Sequence, residues 1–183
     1  SSEVGRENAL PQPITEKDAA LLKAAEQTVL TAQYRYAKSE AELAHIGAVL
    51  EAAAIPYMPL KGAVLRHYYP EPWMRTSCDI DVLVKEDELE RAVKVLESKL
   101  EYEVRGVRDF HDISLFSKSG VHLELHFNIL ENSESIDALL GSAWEFAVKE
   151  SNYSYRFTNE FLIFHALAHM AYHFTTGGCG IRP

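Results

Sequence analysis

The chain has 183 residues, 47% hydrophobic and 25% charged, which is typical of a soluble globular protein with one domain or one domain and a helical appendage. Its formal net charge of −9 argues against non-specific binding to nucleic-acid backbones, which requires a basic surface. Two cysteines give no disulfide framework and suit a reducing compartment, so we expect a cytoplasmic protein. The most apolar long segment, residues 161–174, is too short to predict a membrane span.

The first third of the sequence predicts a flexible polar lead followed by helices. Thr15 and Asp18 resemble a capping box at the start of a helix. One helix is expected from there to about Ala37, and a second from about Glu40 to Ala53. We interpret residues 1–53 as a lead and a helical cap that packs on a sheet or on a partner.

The remaining sequence predicts an α/β (α+β) fold, in which a small mixed sheet is flanked by helices. Residues 54–130 form the predicted core and residues 131–183 a C-terminal helical region. The last residues, GGCGIRP, read as the lead into another helix and suggest a truncated form. The expected strands are 55–60, 80–84, 101–107, 112–116 and 121–127. One helix is expected to begin after Gly62 and to end by Pro70, and the other expected helices cover 86–99, 135–149 and 159–174.

An acidic pair opens the most apolar of these strands. Asp79 and Asp81 alternate with apolar residues, and residues two apart in a strand point to the same face, with Cα atoms about 6.6 Å apart. Two like charges side by side cost energy unless a cation or a proton neutralises them. The pair therefore predicts a divalent metal site.

A third carboxylate lies on the second strand of the predicted hairpin. His122, Glu124 and His126 share one face of that strand, which taken alone is typical of a half-solvated strand. Beside Asp79 and Asp81, however, Glu124 would complete a set of three carboxylates suited to Mg²⁺ or Mn²⁺. Two such ions about 3.5–4 Å apart stabilise the attacking and leaving oxygens of an in-line phosphoryl displacement.

Candidate phosphate contacts precede the acidic pair. Gly62 lies at a predicted strand-to-helix turn, where a glycine lets backbone N–H groups approach a phosphate and the helix dipole favours negative charge. Lys61 is either a charge contact to that phosphate or a solvated lysine. Arg75, in the loop before Asp79, has a guanidinium suited to phosphate, although a surface ion pair is an equally good interpretation.

A row of histidines follows one face of the last predicted helix. His165, His169 and His173 recur every four residues, which is compatible with a zinc site, a substrate pocket or ordinary packing. No acidic or cysteine partner lies at ligand spacing in the sequence. We therefore favour packing or pocket lining over zinc.

The combined motifs resemble an uncharacterised nucleotidyltransferase family of the DNA polymerase β-like nucleotidyltransferase superfamily. The resemblance is good over residues 55–127 and weaker over the helices that follow. It implies that Asp79 and Asp81 hold the catalytic metals, that Glu124 helps to hold the metal or activates the acceptor, and that Gly62 brings backbone amides to a triphosphate. One departure is that the superfamily turn usually reads Gly-Ser or Gly-Gly. The residues that carry the resemblance are Leu60-Lys61-Gly62-Ala63, Arg75, Asp79-Ile80-Asp81-Val82-Leu83-Val84 and Glu124-Leu125-His126.

The resemblance implies a metal-dependent enzyme that moves an NMP group from an NTP such as ATP to a hydroxyl or amine of a small molecule or protein. Mg²⁺ or Mn²⁺ would be its cofactor. Two alternatives stay open, namely a non-catalytic nucleotide-binding or regulatory module and a structural partner subunit. The intact acidic pair favours the enzyme, whereas the altered turn and the missing tail favour the alternatives. The sequence leaves the base, the acceptor and the oligomeric state open.

Overall fold

The computed structural model describes residues 15–130, 134–141 and 143–176. The predicted lead and the GGCGIRP end lie outside these residues. Within them, a five-stranded mixed sheet is flanked by helices, and a separate two-stranded hairpin lies towards the C-terminal end. No helix of this described part is long and apolar enough to cross a membrane.

The described helices and strands follow the predicted order with three corrections. The helices are α1 (Glu16–Ala52), α2 (Lys61–Leu65), α3 (Leu89–Leu100), α4 (Glu134–Leu140) and α5 (Asn159–Thr176). The strands are β1 (Tyr57–Pro59), β2 (Asp79–Val84), β3 (Glu103–Val104), β4 (Asp112–Phe116), β5 (His122–His126), β6 (Ala147–Lys149) and β7 (Tyr155–Phe157). Their order in the five-stranded sheet is β1-β2-β5-β4-β3.

The first correction concerns the N-terminal helices. The capping box is confirmed, because Thr15 Oγ1 accepts a hydrogen bond from the Asp18 backbone N–H while Asp18 accepts one from the Thr15 N–H. The prediction of two helices was wrong, since α1 runs without a break to Ala52. No glycine or proline interrupts residues 16–46, so the sequence contains no signal strong enough to end the helix.

The other two corrections concern short strands. The strand predicted over 101–107 is reduced to β3, and Gly106 shortly after it adopts φ +94°, a backbone conformation outside the strand region. The helix predicted over 135–149 was wrong in its second half. There α4 ends at Leu140, and β6 pairs with β7 as an antiparallel hairpin.

The two faces of the central sheet differ in polarity. Residues at alternate positions of β2 and β5 point towards α1 and α3 and form the larger apolar core. The intervening positions of these strands carry carboxylates and imidazoles on the opposite face. The core residues include Ile46, Leu50, Ile80, Val82, Leu89, Leu96, Leu123 and Leu125.

A second apolar cluster joins the sheet to the C-terminal elements. Met58 of β1 and Leu83 of β2 pack with Phe157 of β7 and Phe161 of α5. The Tyr57 N–H also donates to the carbonyl of Tyr153 at 2.9 Å, which ties β1 to the second hairpin. This packing covers one flank of the sheet and leaves its polar face beside α2.

Candidate active site

The pairing of β2 with β5 decides where the predicted carboxylates meet. These two strands run parallel, and their register places Asp81 opposite Glu124 and Asp79 opposite His122. Ligand atoms of Asp81, Glu124 and His126 all lie within 4.8 Å of one another, and so do those of Asp79, His122 and Glu124. Glu124 belongs to both groups, so the three predicted carboxylates lie together on one face, flanked by two histidines.

His126 holds two of these carboxylates. It is 1% exposed, and its Nε2 lies 3.1 Å from Asp81 Oδ1 and 3.6 Å from Glu124 Oε2. Burial alone would lower the pKa of His126, but the hydrogen bonds to Asp81 and Glu124 raise it. The imidazole is therefore stabilised as a cation between the two carboxylates.

Lys61 provides a second cation at the same position. Its Nζ lies 3.7 Å from Asp81 Oδ1. Burial alone would raise the pKa of Asp81, but the hydrogen bond from His126 and the charge of Lys61 lower that pKa to about 2. The pKa of Asp79 shifts in the opposite direction, because burial and the charges of Asp81 and Glu124 raise it. Asp79 is thus the carboxylate that would gain most from an added cation.

The predicted phosphate turn is built differently from expectation. Lys61, not Gly62, adopts the left-handed backbone, with φ +36°. A Cβ atom on Gly62 would lie 3.1 Å from Ser77 Oγ and 3.3 Å from Arg75 Nη1, so the glycine lets the loop before β2 pack directly on the turn. Since α2 has only five residues, its dipole adds little, and anion binding here depends on side chains.

Arg66 connects this turn to neighbouring segments through hydrogen bonds. The sequence did not indicate it as a residue of the site. Arg66 is 2% exposed. Its Nε donates to the Gly62 carbonyl at 2.9 Å, its Nη2 to Ser77 Oγ at 2.8 Å, and its Nη1 to Glu40 Oε1 at 3.3 Å. An arginine in a short helix carries no sequence signal for such contacts, because its partners lie 4, 11 and 26 positions away.

Two other histidines lie in different environments, His111 beside the site and His165 in the core. His111 Nε2 lies 3.1 Å from Asp112 Oδ2, and ligand atoms of these two residues and His126 also lie within 4.8 Å of one another. His165 is 1% exposed and meets the ring of Phe157 edge-on, which agrees with packing. Among the described residues, no group with metal-ligand spacing includes a member of the C-terminal histidine row.

The strand order and the paired acidic strands beside a glycine turn define a nucleotidyltransferase-like fold, as predicted. The fold is similar to the solution structure of the antibiotic-resistance factor ANT(2'')-Ia, with a TM-score of 0.53 and 13% sequence identity over 76% of this chain and 75% of that chain. The chain belongs to the family described as uncharacterised nucleotidyltransferase, whose model matches residues 10–183. The predicted family is therefore confirmed. None of the curated proteins compared with the chain matches it in sequence.

Proposed function

We propose that the protein is a metal-dependent nucleotidyltransferase, which moves an NMP group from an NTP to a hydroxyl or amine of a small molecule or protein and releases pyrophosphate. The observation that carries this proposal is the close grouping of Asp79, Asp81 and Glu124 on the polar face of β2 and β5. Family membership supports the transferase class.

The donor set fits a divalent metal. Three carboxylates offer the oxygen ligands that Mg²⁺ and Mn²⁺ prefer. Burial, followed by the charges of Asp81 and Glu124, raises the pKa of Asp79, so a cation beside this carboxylate would offset the cost of its charge. A bound metal would neutralise charge on the transferred phosphoryl group and on the leaving pyrophosphate.

The chain's own side chains have separate tasks in this proposal. Asp79, Asp81 and Glu124 would hold the metal, and His126 would fix the orientation of the last two by its contacts at 3.1 and 3.6 Å. Lys61 would exchange its contact with Asp81 for a phosphate oxygen. Arg75, which lies against Gly62, would bind a phosphate through parallel N–H donors.

A second candidate function is a nucleotide-binding module without turnover. The ion pair between Lys61 and Asp81 favours it, because a lysine that stays on a metal-binding carboxylate opposes metal binding. Ala63 at the position of the usual turn residue points the same way. This module would bind an NTP and release no pyrophosphate.

The deciding experiment incubates the protein with each of the four NTPs and Mg²⁺ or Mn²⁺. We expect pyrophosphate release with one or more NTPs, abolished by EDTA, and label transfer to the protein or to an added acceptor. NTP binding without pyrophosphate would favour the non-catalytic module. A folded protein that binds no NTP with either metal would contradict both functions.

Lys61→Met tests both contacts proposed for the lysine, with Asp81 in the absence of nucleotide and with a phosphate oxygen in its presence. Removing a cation 3.7 Å from Asp81 should tighten Mn²⁺ binding in the absence of nucleotide by about threefold to tenfold, since the repulsion between like charges is lost. The same change should weaken binding of the metal–NTP complex by about tenfold, because a charged contact to phosphate is lost. Isothermal titration calorimetry measures both affinities.

Lys118→Met is the matched control, because that side chain is 68% exposed and pairs with Glu101 on the surface. It should change neither affinity. Weaker Mn²⁺ binding by the Lys61 variant would show that the lysine supports the carboxylates rather than competing for them.

A further inference from the structure

Ser77, in the loop before β2, places its hydroxyl against the turn formed by Lys61 and Gly62. The turn itself has Ala63 after the glycine, and that residue is 6% exposed. A Cβ on Gly62 would lie 3.1 Å from Ser77 Oγ and 3.2 Å from Ser77 Cβ, so the serine side chain packs on the glycine without intervening space. The loop before β2 thus supplies a hydroxyl at the turn.

Arg66 fixes the direction of this hydroxyl. A guanidinium only donates hydrogen bonds, so Ser77 Oγ acts as the acceptor in its 2.8 Å contact with Arg66 Nη2. In the described part of the chain, no acceptor contacts the Ser77 hydroxyl proton. Because Arg66 also binds the Gly62 carbonyl at 2.9 Å, one buried side chain holds both the hydroxyl and the turn in place.

The surroundings of Ser77 are cationic although the protein is acidic. A crevice of about 10 Å³ between α1 and the loop before β2 is lined by Ser77, Arg35, Arg75 and Trp73, so an anion would bind at its mouth and not inside it. Among the described residues, no carboxylate lies within 4.0 Å of the guanidinium of Arg35 or Arg75. In a chain with a net charge of −9, two arginines without acidic partners beside an available hydroxyl donor indicate an anion site.

We propose that Ser77 donates a hydrogen bond to the pyrophosphate end of the NTP, with Arg75 and Arg35 neutralising its charge, and so replaces the hydroxyl that the turn lacks. Arg66 is the positioning residue that aims Ser77. This inference rests on the proposed function, since the anion is the β,γ-diphosphate of the substrate. Lys61 would then contact a phosphate oxygen close to the metal, and Ser77 would contact the leaving pyrophosphate on the other side of the turn.

The test uses inorganic pyrophosphate as the probe, because it binds without the base and sugar. We expect Ser77→Ala to weaken binding of pyrophosphate with Mg²⁺, and of the NTP, by about tenfold to a hundredfold, the loss of one hydrogen bond to a charged group. Ser77→Thr, which keeps the hydroxyl, should remain within about threefold of wild type. Affinity for the corresponding nucleoside should be unchanged in both variants, as measured by calorimetry.

Ser98→Ala is the matched control, because Ser98 is an exposed serine whose hydroxyl donates to the Val95 carbonyl of its own helix, α3, and it does not line the crevice. Unchanged pyrophosphate affinity in folded Ser77→Ala protein would overturn the assignment, as would a wild-type protein that does not bind pyrophosphate. Equal loss of nucleoside and pyrophosphate binding would mean that Ser77 is structural and would also overturn it.

The same variants separate this inference from the proposed function. If wild type releases pyrophosphate from an NTP and Ser77→Ala does so with an unchanged KM, only the role of Ser77 fails. If pyrophosphate binding depends on Ser77 but no NTP is turned over, the anion site stands and the transferase function fails.

Discussion

Asp79→Asn and Asp81→Asn are each expected to reduce NMP transfer by more than about a hundredfold. Losing even an outer partner of a metal ligand commonly costs 10- to 100-fold, and these carboxylates are proposed to bind the metal directly. Calorimetry should show a matching loss of Mn²⁺ affinity in both variants. Their effects on the stability of the metal-free protein should differ, because the two carboxylates lie in opposite environments.

Asp81 is expected to stabilise the metal-free fold. Its pKa of about 2 lies below the ordinary value of 3.8, so its contribution is fully present above 3.8 and is lost as the pH falls through about 2. At pH 7, Asp81→Asn should therefore cost about 2 kcal/mol of unfolding free energy. Asp79 has a raised pKa, so its charged form opposes folding at pH 7. Asp79→Asn should leave the melting temperature unchanged or higher.

Thermal unfolding at pH 7 without metal distinguishes these outcomes. Asp87→Asn is the matched control, because Asp87 is an exposed acid in the short turn after β2. Equal destabilisation by both site variants would mean that the two carboxylates form one structural network. Retained Mn²⁺ affinity and turnover in either variant would remove that residue from the site.

The sequence predicted the carboxylates better than it predicted the residues around them. The alternation of Asp79 and Asp81 with apolar residues fixes their shared face, because the side-chain period of a strand is two. Their meeting with Glu124 was proposed from the strand pattern, but it depends on the parallel pairing and register of β2 with β5, which the pattern does not specify. The residue pattern of a strand specifies which of its faces is polar, but it does not specify which other strand pairs with that strand.

The cationic partners of the site depend on long-range packing. His126 stands out in the sequence only by alternating with Glu124, yet it is among the most buried polar residues of the protein. Ser77 and Arg66 meet because Gly62 has no Cβ, which permits two loops to approach closely. Such contacts between irregular segments have no period and no propensity signal. They depend on how the turn and the loop before β2 pack in three dimensions.

Arg66→Met is expected to destabilise the protein by about 3 kcal/mol, which corresponds to a melting temperature lower by roughly 6–12 °C. The arginine is 2% exposed, and methionine would retain much of its apolar stem while removing every donor. The Gly62 carbonyl and the Ser77 hydroxyl would lose their partner inside the protein, where unmet hydrogen bonds are costly. The loss of the ion pair adds less, because the Glu40 side chain is 33% exposed.

Thermal and urea unfolding of Arg66→Met, with Arg105→Met as the matched control, measure this effect. Arg105 pairs with Glu103 on the surface, with side chains 60% and 66% exposed, so its replacement should cost less than about 0.5 kcal/mol. Arg66→Lys keeps the charge but cannot reach three acceptors in the fixed geometry of a guanidinium, so it should recover only part of the lost stability. If Arg66→Met unfolds at the same temperature as wild type, the turn and the loop before β2 are held by the packing of Gly62 against Ser77 alone, and the arginine is not the residue that fixes them.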